Sequence, residues 1–244
     1  DDETATFKAA DFRFYQPVYD PGWLDTLYVT CVLDAIPPPT SDHGDDAAIT
    51  VVGTDAEHTL FLLDAVAGRL SPDQQIDHVL SLHAKWTFRK FGLETNAFQR
   101  MIRTDLEHRL ASMRTQPNWR PFSIVEFQGI TQGNKEQRIQ GLQPWHERGA
   151  LRFPGTKLEL LQGVYSTLAY QMLQFPHSQK DDVLDSLAYH LQLKQAGYET
   201  PQRVEYPVTS AAWYEREIWR PQQIKALQRV PRWRRPPVPQ LAFS

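Results

Sequence analysis

Leu27-Tyr-Val-Thr-Cys-Val-Leu-Asp34 is the stretch that decides the fold. It is apolar or β-branched throughout and shows no polar alternation, the pattern of a strand covered on both faces. It ends on an acid, Asp34, which a rigid strand would hold at the rim of a buried sheet. Two more strand candidates follow, Ala47–Gly53 and His58–Ala65, after a Pro-rich acidic loop from Ile36 to Asp46. The short polar turn Thr54–Glu57 between them predicts an antiparallel hairpin.

Beyond the hairpin the pattern switches to helices alternating with strands. Ser71 is read as an N-cap, with Pro72 in the first helical position and Gln74 completing a capping box. Ile76, Val79, Leu80 and Trp86 form the apolar stripe of that helix. A short strand is expected at Phe91–Thr95, a helix from Ala97 to Met113 and a strand at Ser123–Phe127. A short helix over Lys135–Leu142 and a strand at Gly149–Phe153 come next. Thr156 with Glu159 reads as a second capping box, opening a helix striped by Leu161, Val164, Tyr165, Leu168 and Met172. The last helix begins at Asp181 or Asp182, with Leu184, Leu187, Ala188 and Leu191 on one face. Strands first, then strands alternating with helices, predict an α/β domain built on a mixed sheet. Residues 1–26 read as an irregular lead-in, 27–198 as the folded domain and 199–244 as a Pro-rich basic extension.

With 244 residues, 41% of them hydrophobic, the chain has enough apolar material for a full core. A formal net charge of -3 excludes a protein that is basic all over, though not one with a local basic face. The single cysteine, Cys31, reads as a small buried hydrophobe and rules out a disulfide framework or a cysteine zinc site, which suits a reducing compartment. No run of about 18 apolar residues exists to span a membrane. No GxxxxGK[ST] loop occurs, so no phosphate-cradling ATPase motif is present. The sequence begins at Asp1 without a methionine or signal peptide and reads as part of something longer.

Carboxylates stand where strands end or a helix begins. Asp34 closes the most apolar strand, Glu94 closes the next central one, and Asp182 and Asp185, three apart, share one side of a helix's first turn. Each has a plainer reading taken alone: a loop-starting acid, a solvated edge residue, or acids complementing a helix dipole by about 0.3–1 kcal/mol. Together they suit phosphodiester hydrolysis, in which two Mg²⁺ ions about 3.5–4 Å apart relieve charge on the attacking and leaving oxygens. Mg²⁺ is hard and prefers Asp and Glu oxygens to His or Cys. Crowded carboxylates are costly until such a cation binds.

The order of these pieces resembles the RNase H-like nuclease domain of tailed-phage terminase large subunits. The pieces are Val32-Leu-Asp-Ala35, Asp45-Asp-Ala-Ala-Ile-Thr-Val51, Phe61-Leu-Leu-Asp-Ala-Val-Ala-Gly-Arg69 and Leu93-Glu-Thr-Asn-Ala-Phe-Gln99. Asn134-Lys-Glu-Gln-Arg-Ile-Gln-Gly-Leu142, His146-Glu-Arg-Gly-Ala-Leu-Arg-Phe-Pro154 and Lys180-Asp-Asp-Val-Leu-Asp-Ser-Leu-Ala-Tyr189 complete them, spanning about residues 27–192. No single piece is specific; the order and intervals carry the likeness. It implies an endonuclease that cuts concatemeric viral double-stranded DNA during packaging, using two Mg²⁺ or Mn²⁺ ions. Asp34, Glu94, Asp182 and Asp185 would form the catalytic metal site, with Asp181 as helix cap. It further implies the terminase small subunit, the portal protein and an ATPase motor domain, not present in this sequence, as partners. The setting would be the host cytoplasm rather than the mature virion. This sequence would then be the C-terminal half of the subunit, with Asp1–Pro21 in the interdomain linker. The D-x-x-D pair also resembles Holliday-junction resolvases of the same fold. A resolvase, a transposase and a non-enzymatic DNA or portal docking module stand as alternatives.

Lys135 and Arg138, an i,i+3 pair on one helix face, are candidate DNA contacts, with a solvated face as the plainer reading. Between Arg216 and Arg235 there are seven Lys or Arg against one Glu, mixed with Trp219 and Trp233. That composition argues against a packed core and suits DNA backbone or an acidic partner. The eight histidines lack ligand spacing and read as structural or surface residues. Asp46 reads as a strand-start acid.

Overall fold

The computed structural model describes residues 5–16, 21–35, 46–94, 97–113, 119–127, 135–195 and 197. Its strands are β1 (Arg13–Tyr15), β2 (Tyr28–Asp34), β3 (Ala47–Thr54), β4 (Leu60–Gly68), β5 (Lys90–Glu94), β6 (Ser123–Phe127) and β7 (Leu151–Pro154). The helices are α1 (Pro21–Thr26), α2 (Pro72–Trp86), α3 (Ala97–Met113), α4 (Lys135–Gln140), α5 (Gln143–Glu147), α6 (Val164–Gln174) and α7 (Asp182–Leu193). The strands form one sheet in the order β1-β7-β4-β3-β2-β5-β6. Only β3 runs antiparallel to its neighbours, β2 and β4, and every other adjacent pair is parallel. This is the expected mixed sheet.

β2 lies near the middle, and all its residues but the last are buried. Its odd-numbered side chains (Val29, Cys31, Leu33) face a core shared with Ile76, Val79 and Trp86 of α2 and Ile102 and Leu106 of α3. On the opposite face of the sheet, Ala48 and Val52 of β3 and Leu62 of β4 pack against Leu168 and Met172 of α6 and Leu184 and Leu187 of α7. Two helical layers thus cover the sheet and leave strand ends as the place where polar chemistry can reach solvent. The register of β3 on β4 shifts between Val51 and Val52, so Leu63 and Asp64 both turn toward α2, where the Asp64 carboxylate accepts from Trp86 Nε1 at 2.8 Å.

The capping box at Ser71 forms as expected, with the Ser71 hydroxyl accepting from Gln74 N and the Gln74 side chain accepting from Ser71 N. The second box does not. Leu158–Leu160 make a single tight turn, and α6 starts after Gly163, whose φ of 57° no β-branched residue would adopt readily. The stretch expected as an irregular lead-in is also part of the packed body. β1 pairs with β7, and Phe7 and Phe12 join the core under α6. Packing therefore begins well before residue 27. The basic extension, 199–244, lies outside the described residues.

Candidate functional site

β2 and β5 run parallel, with Leu33 beside Leu93, so Asp34 and Glu94 emerge side by side where the two strands end. The first turn of α7 lies across the same edge and adds Asp182 and Asp185, both buried. The sequence pattern therefore picked four acids that the chain does gather at one end of the sheet. Asp34 feels this most. Burial first, then the charges of Asp185, Glu94 and Asp182 against the pull of Lys135, push its carboxyl up to about 8. Asp185 is likewise raised by burial, opposed by Arg138 and Lys135.

What holds α7 in this place is a buried polar network under its next turn. Ser186 and His190, four apart, point at the sheet. Ser186 Oγ lies 2.8 Å from Thr50 Oγ1 and donates to Val32 O at 3.2 Å. The His190 ring bridges Thr30 Oγ1, 2.6 Å from Nδ1, and Thr50 Oγ1, 3.0 Å from Nε2. Complete burial keeps that imidazole neutral, with its pKa pushed down to about 3. A neutral ring can accept from one hydroxyl and donate to the other, which closes the network without a buried charge. His190, His146 and His83 are core residues rather than surface ones.

Two basic residues stand over the acids. The Arg138 guanidinium makes a two-pronged pair with Asp185, Nε donating to Oδ1 and Nη2 to Oδ2, each at 2.8 Å. Lys135 Nζ lies 2.5 Å from Asp181 and 3.7 Å from Asp185. Burial opposes the Lys135 charge, but the hydrogen bond to Asp181 and the surrounding carboxylates outweigh it and raise its pKa. Asp181 does occupy the N-cap position of α7, yet its side chain makes no cap hydrogen bond and pairs with Lys135. Asp46, just before β3, pairs with Lys180 at 2.7 Å, next to the α7 start.

Sequence reasoning missed Tyr189. Its hydroxyl donates to Glu94 Oε1, its ring stacks on Phe127 at 4.4 Å, and the Arg138 guanidinium lies 4.0 Å over it. The signal was present in the spacing, since Tyr189 is four residues beyond Asp185 and so on the same side of the helix. Burial and the Glu94 hydrogen bond raise the phenol well above its ordinary range, which keeps it a donor.

As they stand, no three His, Cys, Asp or Glu side chains among the described residues are arranged so that they could hold a metal ion. The chemistry of the donor set nonetheless fits a hard divalent cation: all four acids are oxygen donors, and their mutual repulsion is what such an ion relieves. Asp185 is already engaged by Arg138 and Glu94 by Tyr189.

No protein-family model and no curated protein matches this sequence. Solved structures do. The large terminase nuclease of thermophilic phage G20c with bound zinc is 15% identical over 78% of this chain and 99% of that one, with a TM-score of 0.53. The large terminase nuclease domain of Thermus phage P74-26 is 15% identical over 80% of this chain and all of that one, at 0.52. The G20c nuclease with bound magnesium is 13% identical over 75% and 94% of the two chains, also at 0.52. At such identities the likeness is one of fold. The mixed sheet flanked by helices is the RNase H-like nuclease fold that the sequence led us to expect. Among the described residues no helix is long and apolar enough to cross a membrane.

Proposed function

We propose that this chain is a metal-dependent endonuclease that cuts concatemeric viral double-stranded DNA during genome packaging, as the nuclease domain of a terminase large subunit. The observation that carries the reading is the gathering of Asp34, Glu94, Asp182 and Asp185 at the ends of β2 and β5, on the fold of terminase nucleases. Those four carboxylates would hold two Mg²⁺ or Mn²⁺ ions. Bound there, the ions would supply charge relief on the reacting oxygens and a more acidic water.

The chain's own residues set up the rest. β2 and β5 fix Asp34 and Glu94 on a rigid edge, and the network from Thr30 to His190 fixes α7 and its two acids. Tyr189 orients Glu94 by donating to one of its oxygens. Lys135, whose side chain is two-fifths exposed, stands beside the acids, where an incoming phosphate would meet it, and Arg138 would follow once its pair with Asp185 opens. The working partners would be the packaging ATPase domain, the small subunit and the portal protein, in the host cytoplasm.

The test is digestion of supercoiled plasmid by the purified chain with Mg²⁺, Mn²⁺ or EDTA. Nicking and linearisation are expected with either metal and neither in EDTA. Asp34→Asn, Glu94→Gln and Asp185→Asn should each abolish cutting while the chain stays folded, with Asp182→Asn abolishing or strongly reducing it. Undiminished cutting in EDTA, or full activity of Asp34→Asn, would overturn the mechanism. Cleavage confined to four-way junctions would make the chain a resolvase instead.

A further inference from the structure

Asp185 is the acid whose surroundings least resemble those of a waiting metal ligand. Both its oxygens already accept from one guanidinium, at 2.8 Å each. The pair is enclosed: the side chains of Arg138 and Asp185 are 13% and 7% exposed. Beneath the guanidinium lies the Tyr189 ring, whose hydroxyl reaches Glu94. Arg138 therefore touches one acid directly and is joined to a second through a single side chain.

The guanidinium fork matches a carboxylate edge-on, each prong taking one oxygen. Each oxygen has a second lone pair, but a divalent cation that took Asp185 edge-on would compete for the pair the fork now uses, and it would meet a fixed positive charge there. We infer that Arg138 is a positioning residue that stands in for the metal at Asp185, so that metal binding and the Arg138–Asp185 pair are mutually exclusive. The inference rests on the reading of the four acids as a metal site. Without metal, Arg138 keeps Asp185 in place and neutralises part of the crowded charge. When metal displaces it, the guanidinium is released at the rim of the site, beside Lys135. Its free fork there suits a phosphate oxygen pair as well as it suited the carboxylate. Metal loading and readiness to grip DNA would in this way be coupled through one side chain.

Mn²⁺ binding to the full chain, followed without DNA by the paramagnetic resonance of the free ion, tests this. Arg138→Gln should bind Mn²⁺ at least tenfold more tightly than wild type. Arg138→Lys, which keeps the charge but loses the fork, should bind about threefold more tightly and guards against failure of the glutamine variant to fold. Deleting any nearby positive charge would also draw a cation in, so the comparison is repeated in an Asp185→Asn background. There the Arg138→Gln gain should fall to twofold or less. An equal gain in both backgrounds, or no gain in wild type, overturns the inference while leaving the metal reading standing. Absence of Mn²⁺ binding by all the proteins overturns both.

Discussion

Asp34→Asn tests whether the acidic cluster is a built-in strain. Burial and three neighbouring carboxylates push the Asp34 carboxyl to about 8, against an ordinary 3.8. At low pH the folded and unfolded chains both carry the proton and no penalty exists. As pH rises past the ordinary range the unfolded chain ionises freely, while the folded chain must either keep its proton or ionise against burial and repulsion. Stability is therefore lost as pH climbs from about 4 to about 8 and levels off above that. Each pH unit in that window is worth about 1.4 kcal/mol, so between pH 5 and 8 the penalty approaches ~4 kcal/mol. Asp34 is only partly buried, and water at the strand end reduces this, to ~2 kcal/mol at the low end. Asparagine keeps the shape without the charge, so it should remove the penalty and relieve Asp185 as well. The assay is urea unfolding of both proteins in EDTA at pH 5, 6, 7 and 8. The variant should gain on wild type steadily with pH, ending ~2–4 kcal/mol ahead, a large part of the ~5–15 kcal/mol that holds a typical domain together. Curves that stay parallel within ~0.5 kcal/mol would refute the account, and so would a wild type that gains on the variant as pH rises. Adding Ca²⁺ at pH 8 should return the wild type most of the way, because a bound cation removes the repulsion that the proton otherwise relieves.

Thr50→Val should cost about 1–3 kcal/mol in urea unfolding, because Ser186 Oγ and His190 Nε2 lose a buried partner while volume is unchanged. Gly92→Ala should destabilise by about 1–3 kcal/mol, since an added Cβ would come within 2.6 Å of the Phe127 ring and 2.8 Å of Leu193; an unchanged melting curve would mean that β5 and β6 are packed less closely than described. In plasmid digestion, Mn²⁺ should match or exceed Mg²⁺ and Ca²⁺ should support little cutting, because its larger, looser coordination misplaces the attacking water. Removal of residues 216–244 should weaken DNA binding in a filter or gel assay and leave cooperative unfolding intact, given seven basic residues against one acid from Arg216 to Arg235.

The parts of the fold that were legible in the sequence are those whose cause is local. The unbroken apolar run before Asp34 announces a strand buried on both faces, and Ser71-Pro-Asp-Gln74 carries its own helix start in four residues. The failures are places where a distant partner decides. β1 is three residues long and exists because β7, nearly 140 residues later in the chain, lies beside it. No local pattern contains that. Thr156 and Glu159 satisfy the capping-box spacing, but Gly163 takes a positive φ and Leu161 an extended conformation, so the helix cannot begin where the box would open it. Gly163, seven residues past the proposed cap, was the available warning.

The same distinction runs through the site. An acid's place at a strand end follows from strand periodicity, which is why Asp34 and Glu94 could be found by reading. Its ionisation and its partner depend on whatever packs across the edge. Asp185 meets Arg138 across 47 residues of sequence, and Glu94 meets Tyr189 across 95. The sequence presented Lys135 and Arg138 as cations available to DNA, whereas folding sets them on the acids. That need not contradict a role with phosphate. A cluster of five acids, counting Asp181, faces two cations, so acids outnumber bases even with Lys135 and Arg138 both paired. Any divalent ion entering this site strengthens the case for Lys135 and Arg138 to turn outward, because it takes over the charge they now balance. The basic residues and the metal are alternative answers to one electrostatic problem, and only the approach of DNA gives the basic residues somewhere else to go.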